Sequence, residues 1–202
     1  MEKRMRISGL GSPGRVWLAA RLLPVLLACA WGLHAQAPGK GLVIVLIGPP
    51  GSGKTTQSAL LEKKYHIPIL AGKELRAKAG NSSDKMNALV REEVLRAERQ
   101  KGFVIDGYPA TRAEADYLAK LVKEIKLPAP IVIQLDVPDA EVRRRLGSTI
   151  DRAELDRQLA VYHKELELAR SYYPEADIWE IIGTLEPKEV FKTIVALVED
   201  RQ

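Results

Sequence analysis

The sequence predicts an α/β fold, in which a parallel sheet of five strands is flanked by helices. Two observations carry this prediction. Short apolar runs alternate with longer amphipathic stretches from Gly41 onward, and glycines and prolines interrupt the chain between them. The predicted strands are 42–47, 67–70, 103–106, 131–136 and 178–182. The first is unbroken in its apolar character, as expected of a strand that is buried on both faces of a parallel sheet.

The later elements follow from breaks and periodicity. Pro128 and Pro130 interrupt the chain before the fourth strand, and Pro174 ends a long helix before the fifth. Along that helix apolar residues recur every three to four positions, which predicts one face packed on the core. They are Leu155, Leu159, Tyr162, Leu166, Ala169 and Tyr173. With no internal repeat or interdomain linker in the sequence, a single domain is predicted over 36–202.

The charge of the chain argues against a nucleic-acid partner. The 202 residues carry a formal net charge of +5, but five of the 31 cations and one of the 26 acids lie before residue 36. The body of the protein is therefore close to neutral and implies no broad basic face. A monomer with no nucleic-acid partner is the expectation.

Residues 1–35 are predicted to be a signal peptide. A basic stretch ends at Arg21, residues 22–31 form an apolar run too short to span a bilayer, and small residues surround Ala35. Cleavage after Ala35 gives a periplasmic or secreted protein with no integral membrane segment, and lipidation at Cys29 is an alternative. If instead translation begins downstream of the leader, the domain is cytoplasmic.

A phosphate-binding loop follows the first strand. Gly48 to Thr55 reads GPPGSGKT, which matches GxxxxGK followed by serine or threonine, between a predicted strand and a predicted helix. Such a loop aims successive N–H groups, and the positive end of the helix, at phosphate oxygens. Lys54 is expected to reach the β- and γ-phosphates of ATP, and Thr55, next to Thr56, to offer a hydroxyl to magnesium. The glycines of this loop are Gly48, Gly51 and Gly53, and Ser52 lies between the last two.

Asp106 ends the third predicted strand, in the segment GFVIDGYP. The carboxyl ends of parallel strands meet at one crevice, so Asp106 is expected beside the phosphate loop, binding magnesium through water. No cysteine or carboxylate lies at ligand spacing from His66 or His163, so the magnesium is predicted to arrive with the nucleotide.

From Gly41 to its end the chain resembles the adenylate kinase family of nucleoside monophosphate kinases. Four segments occur in the family's order: GPPGSGKTTQ, KYHIPILAGKELRA, GFVIDGYPATRAEADYL and IVIQLDVPDAEVRRRL. The resemblance implies a P-loop three-layer sandwich that transfers the γ-phosphoryl group of ATP to a nucleoside monophosphate, with AMP as the first acceptor to consider. It also implies two mobile inserts, one over the monophosphate and one acting as a lid.

The resemblance assigns roles beyond the loop. It implies that Arg76 grips the monophosphate, that Arg145 reaches the transferred phosphoryl group, and that Gly107 belongs to the acceptor site. Glu114 stands where the family has a glutamine that reads adenine, and it retains the ability to accept a hydrogen bond from an amino group.

The chain also departs from the family. Ala110 replaces a phosphate-binding arginine, for which Arg112 is a candidate substitute, and Gln158 stands near another expected arginine. The segment from Arg76 to 102 predicts a monophosphate insert reduced to little more than a helix, and the lid is nearly absent. Arginines near the emptied positions are further candidates to supply positive charge: Arg143, Arg144, Arg152 and Arg157.

Three functions therefore remain open from the sequence. The first is a working but altered monophosphate kinase, whose rate depends on arginines around the moving phosphoryl group. The second is an ATP-binding sensor or scaffold that has lost transfer, which Ala110 and the short inserts favour. The third is a small-molecule kinase on the same loop, which Glu114 and Lys73 would suit.

Overall fold

A computed structural model describes residues 41–98, 101–173 and 177–201. Five strands and seven helices lie along these segments, and one or two helices follow each strand. The strands are β1 Leu42–Ile47, β2 Ile69–Ala71, β3 Gly102–Asp106, β4 Ile131–Asp136 and β5 Ile178–Ile182. The helices are α1 Lys54–Tyr65, α2 Gly72–Ala79, α3 Ser83–Glu98, α4 Arg112–Glu124, α5 Asp139–Leu146, α6 Arg152–Tyr172 and α7 Pro187–Arg201. The predicted leader and its cleavage site lie outside the described residues.

The sheet is parallel throughout, in the order β2-β3-β1-β4-β5. This confirms the predicted α/β class. Strand β1 occupies the centre, with Leu46 paired to Asp106 of β3 and Ile47 paired to Gln134 of β4. The carboxyl ends of three adjacent strands therefore meet where the phosphate loop begins.

Two core clusters cover opposite faces of the sheet and give three layers. Val43 and Val45 belong to the cluster that includes residues of α2, α3 and α4, whereas Ile44 and Leu46 belong to the cluster with α1 and α7. Alternate residues of a strand point to opposite faces, so β1 is buried on both sides. The three-layer architecture expected from the resemblance is confirmed.

The second strand lies slightly later than predicted, at Ile69–Ala71 rather than 67–70. Pro68 has no N–H to donate to a ladder, although its carbonyl oxygen accepts from the backbone nitrogen of Val104 at 2.9 Å. The strand therefore begins after this proline and extends until Ala71 pairs with Asp106.

The two inserts differ in how well they were predicted. Two helices, α2 and α3, connect β2 to β3, so the acceptor-side insert is more than the single helix expected from its length. The connection from α5 to α6 is short, as predicted, and Asp151 caps α6 by accepting from the backbone nitrogens of Ala153 and Glu154. The predicted core face of α6 is confirmed at Leu155, Leu159, Tyr162, Leu166 and Ala169, all of which are buried.

Within the described ranges, no helix has both the length and the apolar character that a membrane span requires.

Candidate active site

The phosphate loop runs from the end of β1 to the start of α1. Gly51 and Gly53 have φ values of 71° and 98°, in the left-handed region that favours glycine. A Cβ added at Gly53 would meet nothing within 4 Å, so its backbone conformation, rather than crowding, requires glycine there. The open space in front of this residue leaves room for a phosphate at the N-terminus of α1.

Lys54 lies over this loop. Its Nζ donates to the carbonyl oxygens of Gly48 at 2.8 Å and Pro49 at 3.1 Å. Burial lowers the pKa of Lys54, and the nearby Asp106 carboxylate opposes that fall. The ammonium group is thus held at the loop by two carbonyl dipoles, where anionic phosphate oxygens are stronger partners.

The hydroxyl groups of the loop and of the first turn of α1 are either exposed to solvent or buried without a hydrogen-bond partner. Thr55 and Thr56 are exposed at the first turn of α1, whereas Ser52 is buried and its Oγ has no hydrogen-bond partner among the described residues. Buried hydroxyl groups usually have a hydrogen-bond partner, and this one lies inside the loop that would surround a phosphate. The loop therefore fits a bound triphosphate, with Thr55 free to contact the accompanying magnesium.

Asp106 lies half-buried at the end of β3, opposite the last residues of β1. Burial raises the pKa of its carboxyl group, and the charges of Lys54 and Lys73 oppose that rise. Gly107 follows with a φ of 76°, and a Cβ added there would lie 3.6 Å from the backbone nitrogen of Lys73. The structure thus brings Lys54 and Asp106 together as predicted, and adds Lys73, which the sequence indicated only as a residue that would suit a small-molecule kinase.

Arg145 connects α5 to the loop. Its Nη1 donates to the carbonyl oxygen of Gly51 and its Nη2 to that of Gly183, each at 3.0 Å, while its Nε bonds Glu141 at 2.7 Å. Gly183 was not predicted to take part. Its position just after a strand, at the sheet edge that carries the loop, is the signal that would have found it.

Arg76 and Glu114 form an ion pair across the acceptor side. The Arg76 guanidinium donates from Nη1 and Nη2 to the two carboxylate oxygens at 2.6 and 2.8 Å. The Glu114 side chain is 0% exposed and also accepts from the backbone nitrogen of Ala110 at 2.9 Å and from Ser83 Oγ at 3.3 Å. Two residues expected to hold different parts of one substrate therefore bind each other, and no sequence signal indicated the contact.

Most of the candidate substitute arginines lie elsewhere. The Arg112 side chain is 67% exposed, and its Nε lies 4.0 Å from Asp116. Three others pair with acids of their own or a neighbouring helix, namely Arg143 with Asp156, Arg144 with Glu141, and Arg157 with Glu154, and Arg152 is exposed. Of the arginines in α5 and α6, only Arg145 contacts the phosphate loop among the contacts of the described residues.

Glu165 of α6 is a further acid that sequence reasoning missed. Burial raises the pKa of Glu165, while Arg76 and Lys54 oppose the rise. The sequence could have indicated this residue, because Glu165 lies between the buried residues Tyr162 and Leu166. A carboxylate at the edge of the buried face of a helix lies close to the elements on which that face packs. Across residues 41–98, 101–173 and 177–201, no group of three or more His, Cys, Asp or Glu side chains is arranged to hold a metal.

The Arg76–Glu114 pair predicts a pH-dependent stability. Burial raises the pKa of Glu114, but the hydrogen bonds from Arg76 and Ala110 outweigh it and leave the pKa below its usual range. The unfolded chain then binds more protons at low pH. The stabilisation is present above the ordinary glutamate pKa of about 4.3 and is lost as the pH falls through the lower folded value.

We therefore expect Glu114→Gln to be less stable than wild type by about 2–3 kcal/mol at pH 7, because removing one member of a buried ion pair leaves the other charge without its partner. The loss is not larger because Arg76 is partly exposed to solvent. The difference should shrink below about pH 4. Urea unfolding of both proteins between pH 3 and 7 measures it. A difference that stays constant with pH would contradict the prediction.

Comparisons with known proteins agree with the fold and the loop. A family model described as an AAA domain matches residues 47–161, which contain the phosphate loop and Asp106. An adenylate kinase of Leptospira biflexa is 31% identical over 180 residues, covering 75% of this chain and 97% of that protein. An adenylate kinase of Thermobifida fusca is 30% identical over 72% of this chain and 92% of its own length, and one of Methanosarcina barkeri is 30% identical over 77% and 98%.

Proposed function

Because this chain belongs to the adenylate kinase family of P-loop kinases, we propose that it transfers the γ-phosphoryl group of ATP to a nucleoside monophosphate, with AMP as the preferred acceptor. The observation that carries the proposal is that Lys54, where the loop after β1 enters α1, lies near Asp106, which ends the adjacent strand β3. This arrangement pairs a triphosphate loop with a carboxylate suited to a hydrated magnesium ion.

On the donor side, the backbone N–H groups of the loop and the N-terminus of α1 bind the phosphates of ATP. Lys54 exchanges its two carbonyl partners for oxygens of the β- and γ-phosphates. Magnesium bound with the nucleotide neutralises charge on these phosphates. Thr55 through its hydroxyl, and Asp106 through water, are the residues that would hold the ion.

On the acceptor side, Arg76 is the cation that binds the monophosphate. The acceptor oxygen is already anionic, so no strong general base is required, and the rate depends on alignment and positive charge. A transition-state arginine contributes roughly 10³- to 10⁵-fold in related reactions. Since Arg112 and the arginines of α6 lie in exposed positions, we propose that turnover occurs but is slow.

The test is an assay of the purified full-length chain with ATP, magnesium and each nucleoside monophosphate in turn. We expect diphosphate to form fastest with AMP, measured by separating the nucleotides after timed reactions. Omission of magnesium and omission of the acceptor are the controls. Tight ATP binding without diphosphate formation against any acceptor would refute the proposed activity.

A second function is favoured by one observation. Arg76 is engaged by Glu114, and Ala110 provides no side-chain cation for an acceptor phosphate. A protein that binds ATP without transferring phosphate would need no free acceptor arginine, so a sensor or scaffold fits this feature. The same assay separates the two functions, because a sensor retains ATP affinity and forms no diphosphate.

A further inference from the structure

Four hydrogen-bond donors converge on the Glu114 carboxylate. They are the two terminal nitrogens of Arg76, the backbone nitrogen of Ala110 and the hydroxyl of Ser83. A carboxylate offers about four lone-pair positions, so this one is saturated. A guanidinium fork, a backbone N–H and a hydroxyl around one point form the kind of site that binds a carboxylate or a phosphate. The acceptor side therefore contains an anion site whose occupant is a side chain of the protein.

The two side chains of the ion pair differ in how freely they can move. The Glu114 side chain is 0% exposed, whereas that of Arg76 is 31% exposed. The backbone of Glu114 is also held, because its carbonyl oxygen accepts from the Tyr108 hydroxyl at 3.1 Å and its nitrogen donates to Thr111 Oγ1 at 3.2 Å. When the pair opens, the guanidinium moves and the carboxylate stays.

The acids near Arg76 weaken its electrostatic attraction for an anionic ligand. Glu165 also faces Arg76 and Lys54, so two carboxylates lie near the acceptor arginine. Ala110 contributes no side-chain cation and uses its N–H on Glu114. An arriving monophosphate must therefore compete with an internal anion that is already fully hydrogen bonded.

We propose that the Glu114 carboxylate is an internal competitor for the acceptor phosphate, so that residue 114 determines how tightly this protein binds an anionic acceptor. Acceptor binding exchanges the ion pair between Arg76 and Glu114 for one between Arg76 and the phosphate. The inference rests on the proposed function, which makes Arg76 the arginine of the acceptor site. It predicts that this protein, despite its complete phosphate loop, holds its acceptor weakly.

Glu114→Gln tests this competition. Glutamine has the size of glutamate, and its oxygen can still accept from the Ala110 nitrogen, but it carries no charge and its amide nitrogen cannot accept from Arg76. We expect the full-length variant to bind AMP more tightly than wild type, on the order of tenfold, since a charge-assisted pair no longer opposes binding. Titration calorimetry in the absence of ATP measures this with AMP and with ribose 5-phosphate, which carries the phosphate without the base that a glutamine at this position would read; both ligands should bind more tightly. The double variant Arg76→Ala with Glu114→Gln should lose the gain.

A matched control lies on neighbouring helices. Arg91 of α3 and Glu124 of α4 form a second bidentate pair, at 2.9 and 2.6 Å, but both side chains are exposed. Glu124→Gln removes the same charge from the same helix without touching Arg76, and AMP affinity should not change. If Glu114→Gln does not fold, Glu114→Asp replaces it, because shortening the side chain withdraws the carboxylate and should tighten AMP binding about threefold.

The outcomes separate this inference from the proposed function. AMP binding that is weaker in Glu114→Gln overturns the inference and shows that Glu114 positions Arg76 for the acceptor. Unchanged binding, or no binding by either protein, also overturns it. Tighter binding of both AMP and ribose 5-phosphate supports it, whether or not ATP and AMP form ADP in a parallel assay, whereas tighter binding of AMP alone overturns it. Absence of ADP in that assay refutes the kinase activity alone.

Discussion

Lys54→Ala is expected to abolish phosphoryl transfer, with a fall in kcat/KM of about 10³-fold or more, because Lys54 is the single cation of the loop sequence and the proposed mechanism assigns it to the β- and γ-phosphates. The ammonium group of Lys54 lies at the loop carbonyls of Gly48 and Pro49, within reach of an incoming phosphate. The measurement is ADP formation from ATP and AMP under saturating magnesium, together with ATP affinity by calorimetry.

The effect of Lys54→Ala must be separated from damage to the loop. Lys63→Ala is the matched control, since Lys63 lies exposed in the last turn of the same helix, and it should retain wild-type rates. Thermal unfolding of both variants shows whether the fold survives. Residual transfer within about tenfold of wild type in a folded Lys54→Ala protein would contradict the role given to this lysine.

Gly72→Ala is expected to destabilise the protein by about 2–4 kcal/mol. A Cβ at this position would stand 2.3 Å from the carbonyl oxygen of Asp106 and 2.8 Å from the carbonyl group of Gly107, closer than real Cβ contacts allow. Because those atoms are backbone, the start of α2 must move away from the end of β3. Urea unfolding measures the loss, and a displaced Arg76 should weaken AMP binding as well.

Gly80→Ala provides the comparison for this glycine. Gly80 ends the same helix with a φ of 63°, and a Cβ there would meet nothing within 4 Å. Its replacement costs backbone strain of about 1–3 kcal/mol, because a φ of 63° with a ψ of −138° is a conformation adopted essentially by glycine alone. Gly72 has an ordinary backbone conformation, so alanine would otherwise favour the helix by about 1 kcal/mol. A Gly72→Ala protein as stable as wild type would show that α2 does not pack closely on β3.

Local patterns were sufficient for the elements and for the phosphate loop. The apolar run of β1, the periodic face of α6 and the motif ending in Lys54 and Thr55 each depend on residues that are neighbours in the chain. The carboxyl ends of parallel strands lie at one edge, so the meeting of Asp106 with the loop also followed once the fold class was known.

The start of β2 and the number of helices in the acceptor-side insert were harder to predict from the sequence. Pro68 moves the start of that strand because it lacks a donor, and a short insert proved long enough for the end of α2 and the whole of α3. Strand ends and insert lengths depend on which partners the sheet supplies, and a single run of residues does not carry that information.

The class of fold, the triphosphate loop and the carboxylate beside it were predictable from the residues, because each rests on local periodicity or on a motif whose spacing has a direct physical meaning. Which charges meet depends on the folded chain. Arg76 and Glu114 are 38 residues apart, and Arg145 lies 94 residues from Gly51, yet both contacts define the site. The partners of long charged side chains depend on which groups the fold places nearby, so the pairing of Arg76 with Glu114 can be seen only in the folded chain.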